Sequence, residues 1–163
     1  MYILKSMIVS GFFLLTLSSC NQPTSKTQAP AAATETAPAL TIDGNYVTAE
    51  YDKRREGFDW VGVTIKSEQD SSITIQVRSR ADKKKPTCIL DKNATKIKEG
   101  VYQASLQGKN VLFTFDGTSL TIAPEKSEDD GVLNYYCSGG GSLAGTYKRI
   151  AEALDATQVD SLK

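Results

Sequence analysis

Histidine is absent from this sequence, so the commonest general base and the commonest metal ligand of proteins are both missing. A surplus of charge is missing too, because 19 basic residues balance 19 acidic residues. Proteins that bind nucleic acids normally carry a basic surplus, and the balance therefore argues against a nucleic-acid partner.

Sequence motifs for catalysis and phosphate binding are also missing. The glycine-rich stretch near the C-terminal end lacks the Gly-Lys-Ser/Thr ending of a P-loop, and no nucleophile elbow occurs. Four carboxylates lie between residues 50 and 59, and paired carboxylates can hydrolyse glycosides, but nothing in the sequence brings two of them into one cleft. The sequence therefore predicts a protein that is not an enzyme and that holds no cofactor or metal.

A long apolar run is missing as well. The segment Met7–Leu17 follows Lys5 and is shorter than the roughly 20 residues that a membrane-spanning helix needs. Its length and position are typical of a signal-peptide core. The residues Leu17-Ser18-Ser19-Cys20 then resemble the lipobox of bacterial lipoproteins, in which an aliphatic residue and two small residues precede a cysteine.

The lipobox resemblance implies that residues 1–19 are a signal peptide and that Cys20 carries acyl chains, palmitate among them, at the mature N-terminus. Asn21 stands where an aspartate would imply retention in the inner membrane, so the resemblance points to the outer membrane of the cell envelope, facing the periplasm. Each buried methylene contributes about 0.8 kcal/mol, and several acyl chains therefore anchor a protein stably. An ordinary secretory signal that leaves Cys20 as a free thiol is the alternative.

The linker that follows, residues 20–39, is rich in alanine, threonine and proline and has few large apolar side chains. Such a segment cannot bury enough surface to offset the entropy of ordering it. We expect a lipidated N-terminus with a disordered tether, followed by one folded domain with a C-terminal tail over residues 40–163.

Apolar and polar residues alternate in this domain, which is typical of strands with one buried face. The clearest segments are 61–65, 73–77, 111–115 and 120–122, and weaker ones are 45–51, 87–90, 101–106, 133–137 and 145–150. The bulky side chains expected to fill the interior are Ile73, Ile75, Val77, Phe113 and Phe115.

Turn signals recur at intervals of roughly ten residues along this domain, the spacing of an antiparallel sandwich or barrel. The fold class predicted is all-β, a small antiparallel meander barrel of about eight strands. The tail, residues 149–159, is predicted to form a short C-terminal helix with Ile150, Ala153 and Leu154 on one stripe.

A repeated Gly-x-Tyr pattern favours closure of the barrel. Gly44 precedes Tyr46 at the start of the first strand, and Gly145 precedes Tyr147 at the start of the last one. A glycine at a strand start lets the backbone bend, and the tyrosine then fills one end of the core. Pairing of the first and last strands would leave no open edge.

Two cysteines remain once Cys20 is assigned to lipid, and an exported domain with two cysteines most often forms one disulfide. A Cys88–Cys137 bridge would tie the middle of the sheet to its penultimate strand. A redox pair is the alternative, but the sequence has no Cys-x-x-Cys.

The residues after Cys137 form a candidate binding loop: Ser138, Gly139, Gly140, Gly141 and Ser142. One interpretation is a tight turn or bulge that needs positive φ or close backbone approach. The other is an exposed recognition loop whose backbone amides form a nest for an anion or for a partner's carboxylate.

A basic stretch supplies a second candidate, an anion-binding patch of Arg78, Arg80, Lys83, Lys84 and Lys85. It is expected at the tip between two strands, where it would meet anionic envelope polymers. A solvated loop that keeps neighbouring edges from pairing is the alternative.

These observations predict a membrane-anchored, non-catalytic envelope lipoprotein that binds a protein or an anionic envelope ligand through its loops. Three alternatives stay open: a structural subunit of an outer-membrane assembly, a lipocalin-like carrier of an apolar ligand, and an inhibitor of lysozyme. For the last, the domain is similar in outline to membrane-bound inhibitors of c-type lysozyme, which combine a lipoprotein anchor, an antiparallel barrel, a disulfide and a Ser/Gly loop such as Ser138–Gly141.

Overall fold

A computed structural model describes residues 40–69, 71–81 and 87–159. The signal peptide, Cys20 and the predicted linker lie outside the described residues, as do Lys83, Lys84 and Lys85. In the described part, eight strands are β1 (Gly44–Val47), β2 (Val61–Gln69), β3 (Ser72–Ser79), β4 (Leu90–Lys98), β5 (Val101–Leu106), β6 (Lys109–Phe115), β7 (Ser119–Pro124) and β8 (Gly145–Ile150). Two 3-10 helices, the first at Ala49–Glu56 and the second at Ser127–Asn134, interrupt the meander.

The strands form a closed antiparallel barrel in which each strand pairs with the next one along the chain. β1 and β8 pair in the register Asn45↔Ile150, Tyr46↔Arg149 and Val47↔Lys148, which closes the cylinder. The predicted fold class and the predicted pairing of first and last strands are both confirmed. Closure removes the open edges at which another chain could add a strand.

The interior is filled by the side chains that the alternation placed there. Ile73, Ile75, Val77 and Phe113 are fully buried, and Phe115 is 5% exposed. All five belong to one hydrophobic cluster, together with residues of every strand. An eight-stranded barrel is just wide enough to be filled by side chains, so this cluster occupies the lumen.

The two Gly-x-Tyr segments act as expected at the strand starts. Gly44 and Gly145 both have φ of 145°, a backbone conformation that side-chain-bearing residues rarely adopt. The tyrosines that follow, Tyr46 and Tyr147, are each only 1% exposed.

The meander gives the barrel two ends of different character. At one end the strands are joined by short turns near residues 70, 99 and 117; we call this the turn end. At the other end lie the connections 48–60, 107–108 and 125–144, which include both 3-10 helices, and the described residues 80–81 and 87–89 between β3 and β4; we call this the loop end. The candidate binding loop at 138–142 and Arg80 of the basic stretch therefore lie at the loop end.

The predicted C-terminal helix is wrong for the residues that the structure describes, because 151–159 contain bends, one turn and an isolated bridge from Val159 to Arg80. Leu154 and Val159 pack against a small apolar cluster of Val47, Tyr51 and Trp60 on the outside of the barrel. This irregular path lets the tail reach the cluster and also hydrogen-bond Ala81 just after β3, which a helix over the same residues would not allow.

The predicted strand over 133–137 is also wrong. The second 3-10 helix extends to Asn134, and Cys137 forms an isolated bridge instead of joining the penultimate strand. Glu128, Asp129 and Asp130 stand in the first turn of this helix, where carboxylates interact favourably with the helix dipole. Similarly, the candidate strand at 45–51 ends at Val47, and the first 3-10 helix begins at Ala49.

Candidate binding face

The disulfide predicted from the sequence is present and joins Cys88 to Cys137 at the loop end. Two backbone hydrogen bonds flank it: Ile89 N–H donates to the Tyr136 carbonyl over 3.0 Å, and Ser138 N–H donates to the Thr87 carbonyl over 2.7 Å. The cross-link and these bonds make a two-stranded ribbon of residues 87–89 and 136–138. This ribbon fixes the point at which the glycine-rich loop leaves the domain.

The three consecutive glycines are needed for two different reasons, a positive φ and a close contact. Gly139 and Gly140 have φ of 66° and 81°, in the left-handed region where glycine carries no steric penalty. Gly141 instead lies close to the disulfide, since a Cβ there would stand 3.3 Å from the Cys137 Cβ and 3.6 Å from the Cys88 Sγ. The tight-turn interpretation of the loop is therefore correct for its backbone.

A groove of about 220 Å³ separates this loop from the start of β2 and the first 3-10 helix. We call it the glycine-loop groove. The glycine loop and the disulfide form one wall, and residues 48–61 form the opposite wall. Its lining residues are Thr48, Glu50, Asp59, Trp60, Val61, Thr87, Cys88, Ser138, Gly139, Gly141 and Ser142.

Two carboxylates of the 50–59 segment, Glu50 and Asp59, line the glycine-loop groove. Asp52 does not join them and pairs with the Lys148 ammonium over 3.2 Å. Negative charge beside the loop opposes an anion on its backbone amides. No group of three or more metal-ligating side chains occurs among the described residues.

The described members of the basic patch have partners within the protein. The Arg78 guanidinium donates to the Asp91 carboxylate over 3.0 Å and to the Val77 carbonyl over 2.7 Å. The Arg80 guanidinium donates to the Phe58 carbonyl over 3.5 Å. The structure therefore places Arg78 along the sheet and Arg80 at the loop end, rather than on one projecting tip.

Two tyrosines stand next to the disulfide, in the segment 133–137 for which the alternation predicts a strand. Tyr135 is 70% exposed, and its ring meets the Tyr136 ring edge-to-face at a centroid distance of 5.4 Å. A depression of about 300 Å³ lies along this segment, lined by Tyr135, Tyr136 and Ser138 together with the facing ribbon. We call Tyr135 and Tyr136 the tyrosine ridge. The run Tyr-Tyr-Cys-Ser-Gly-Gly-Gly-Ser could have signalled it, because it places two aromatic residues beside several small ones.

No family model, curated protein or solved structure matches this chain at a significant level. The site must therefore be interpreted from its own chemistry. In addition, no helix in the described part of the chain has the length and apolar character to cross a membrane.

The turn end has wider depressions, of about 510 and 620 Å³, but polar side chains around them bind one another. The Arg149 guanidinium donates to the carbonyls of Thr41 and Asp43 over 2.8 and 2.6 Å. Asp43 in turn accepts the backbone N–H of Ser67 over 3.0 Å. These groups tie the chain before β1 to the barrel.

The β6–β7 turn at this end is likewise closed on itself. The Asp116 carboxylate accepts hydrogen bonds from the hydroxyls and backbone N–H groups of Ser119 and Thr118, and these bonds lower the pKa of Asp116 well below its ordinary value. The loop end is therefore the better candidate for a binding face, because it presents exposed aromatic and backbone groups.

Proposed function

We propose that this protein is a non-catalytic binding module of the bacterial cell envelope, anchored in the membrane through acylated Cys20. Its loop end contacts a protein partner. The lipobox resemblance supports the anchor, and a disulfide between Cys88 and Cys137 is compatible with an oxidising compartment.

The observation that carries the proposal is the disulfide-anchored segment 135–142, in which Tyr135, Ser138, Gly139 and Gly140 are exposed. Tyrosine, serine and glycine are the residues that antibody loops use for recognition, because tyrosine supplies contact area at a low entropy cost and small residues let backbones approach. Here Tyr135 is exposed, and a Cβ at Gly139 or Gly140 would meet no atom within 4 Å. The disulfide fixes this segment before any partner arrives, and such preorganisation lowers the entropy cost of binding.

A protein partner fits this face better than an anionic polymer does. Glu50 lines the glycine-loop groove, and its charge repels phosphate groups. The structure also argues against a carrier of apolar ligands. Buried side chains such as Ile75 and Phe113 fill the lumen in which such a ligand would bind.

Site-specific photo-cross-linking tests the proposal. A photoreactive phenylalanine derivative at position 135 in the full chain, expressed in a bacterial envelope, is expected to give a discrete protein adduct. The same derivative at Ile97 is the matched control, because Ile97 is exposed near the C-terminal end of β4, at the turn end of the barrel. Equal adducts at both positions, or adducts at Ile97 alone, would refute a partner-binding loop end.

A further inference from the structure

Residues 151–159 cross the outer face of the barrel as an irregular segment with bends and one turn, which we call the strap. It covers the second apolar cluster, formed by Val47, Tyr51 and Trp60. Leu154 is the central contact, because a Cβ at Gly62 would lie 2.7 Å from both of its methyl carbons. The Leu154 side chain therefore packs against β2 at Gly62, in the space that a side chain at this position would occupy.

Gln158 holds the far end of the strap through both ends of its amide. The Trp60 indole N–H donates to the Gln158 Oε1 over 2.9 Å, and the Gln158 Nε2 donates to the Arg54 carbonyl over 3.1 Å. The Gln158 carbonyl also accepts the backbone N–H of Ala81 over 2.8 Å. One residue therefore links the residue before β2, the first 3-10 helix and the segment just after β3.

The first 3-10 helix is held by the middle of the strap. The Asp155 backbone N–H donates to the Tyr51 hydroxyl over 2.9 Å, and the Arg54 guanidinium reaches the Glu152 carboxylate at 3.3 Å. Arg54 also stacks over the Tyr51 ring, at 4.1 Å from its centroid. This helix is short and has no side-chain N-cap, so much of its stability must come from such packing.

The helix and Trp60 are also one wall of the glycine-loop groove, through Glu50 and Trp60 itself. On the other side, the strap hydrogen-bonds Ala81, just after β3. The strap thus contacts the helix and the tryptophan that form one wall of the glycine-loop groove, although it lines neither the groove itself nor the tyrosine ridge.

We propose that the strap regulates the glycine-loop groove. When the strap is docked on the second apolar cluster, it holds the first 3-10 helix in the conformation that forms the groove wall. When the strap undocks, this helix becomes less ordered. This inference rests on the proposed function for its biological meaning. The strap is the element suited to undock, since residues 151, 152, 153, 156 and 157 are exposed and local opening begins where buried contacts are few. Coupling of this kind is reciprocal, so a groove ligand would also favour the docked strap.

Hydrogen exchange on the purified full chain in nonionic detergent tests the coupling. Leu154→Ala is expected to raise exchange at the Tyr51 and Gly57 amides at least tenfold. Exchange at Phe113 and Ile122 of the barrel is expected to stay within twofold. Because Trp60 is the only tryptophan of the chain, its acrylamide quenching reports strap release and is expected to rise severalfold.

Leu112→Ala is the matched control, because Leu112 is a half-buried leucine on the outer face of β6 and should leave the Tyr51 amide unchanged. Gly62→Val is a second variant that displaces Leu154 without altering the strap itself, and it should reproduce the effects of Leu154→Ala. Greater Trp60 quenching without faster exchange at Tyr51 in both variants would overturn the inference, and so would equal acceleration of barrel and helix amides in both.

The cross-linking assay separates this inference from the proposed function. If position 135 gives an adduct whose yield falls in Leu154→Ala but not in Leu112→Ala, regulation of the binding face is supported. If the adduct forms equally in both variants, the regulation is refuted and the proposed function stands. If no adduct forms at all while exchange at Tyr51 responds to the strap, the proposed function fails and the coupling remains.

Discussion

Tyr46 and Tyr147 make the same hydrogen bond at opposite ends of the barrel. The Tyr46 hydroxyl donates to the Ile42 carbonyl over 2.7 Å, and the Tyr147 hydroxyl donates to the Leu143 carbonyl over 2.8 Å. Each acceptor lies four residues before its tyrosine, and each pair spans a glycine with φ of 145°. The bent glycine returns the chain over the strand start, so a buried hydroxyl can bond the segment that enters the barrel.

Loss of either hydroxyl should destabilise the fold. Tyr46→Phe and Tyr147→Phe each leave a buried carbonyl without its donor, and we expect a loss of about 1–2 kcal/mol in the free energy of unfolding. Urea denaturation followed by circular dichroism measures it. Tyr135→Phe is the control, because that side chain is 70% exposed and its replacement should change stability by less than about 0.5 kcal/mol.

The Tyr147 hydroxyl should also make stability fall at alkaline pH. Burial raises the pKa of Tyr147 to about 12, whereas the unfolded chain has an ordinary tyrosine pKa near 10. Because the folded pKa is the higher one, the contribution is complete below about pH 10 and is lost as the pH rises towards 12. Between these values, Tyr147→Phe should show a shallower fall of unfolding free energy with pH than the unsubstituted chain; identical slopes would contradict the assignment.

Gly140 should tolerate a side chain less well than a glycine of ordinary conformation. Its φ of 81° strains any residue with a Cβ, so Gly140→Ala is expected to cost about 1 kcal/mol although the space around it is open. Gly131→Ala serves as control, since its surroundings are equally open and its φ lies outside the left-handed region. Thermal denaturation of the two variants should separate them by several degrees; equal melting temperatures would show that the loop relaxes around the new side chain.

Removal of the disulfide should weaken the domain and the binding face together. Cys88 and Cys137 are 49 residues apart, and the chain-entropy model assigns about 4 kcal/mol to a loop of that length. The double variant Cys88→Ala with Cys137→Ala is expected to lose roughly 2–5 kcal/mol in urea denaturation. In the photo-cross-linking assay it should also lose most of the adduct at position 135, because the ridge is no longer fixed. Full retention of that adduct would show that the ribbon hydrogen bonds alone hold the ridge.

Acid should release the strap. The Thr157 hydroxyl and backbone N–H bond the Asp155 carboxylate, and with Arg54 and Arg55 nearby they lower its pKa. Because the folded pKa is depressed, the contribution is present above the ordinary pKa near 4 and is lost as the pH falls through the folded value. Trp60 fluorescence should therefore shift to longer wavelength below about pH 4, before the barrel unfolds. In Asp155→Asn this early shift should vanish; a shift of unchanged midpoint would exclude Asp155 as its source.

The sequence by itself determined the barrel and its cross-link. Alternation such as that of Ile73, Ile75 and Val77 encodes both a strand and the face that it buries, and this pattern is local. The pairing of Cys88 with Cys137 followed once the lipobox resemblance assigned Cys20 to lipid. For the glycines the sequence left positive φ and close backbone approach both open, and Gly139 and Gly140 have positive φ.

Only the tertiary structure decided the strap, the groove and the tyrosine ridge. Trp60 and Gln158 are 98 residues apart, and no periodic pattern in either segment predicts their hydrogen bond. The tail became irregular and not helical because closure of the barrel left Gly62 and Trp60 on the outer face as a docking site, and a short helix has too little intrinsic stability to compete. Likewise, Glu50 and Gly139 face each other across a groove only because the register of eight strands brings both connections to one end.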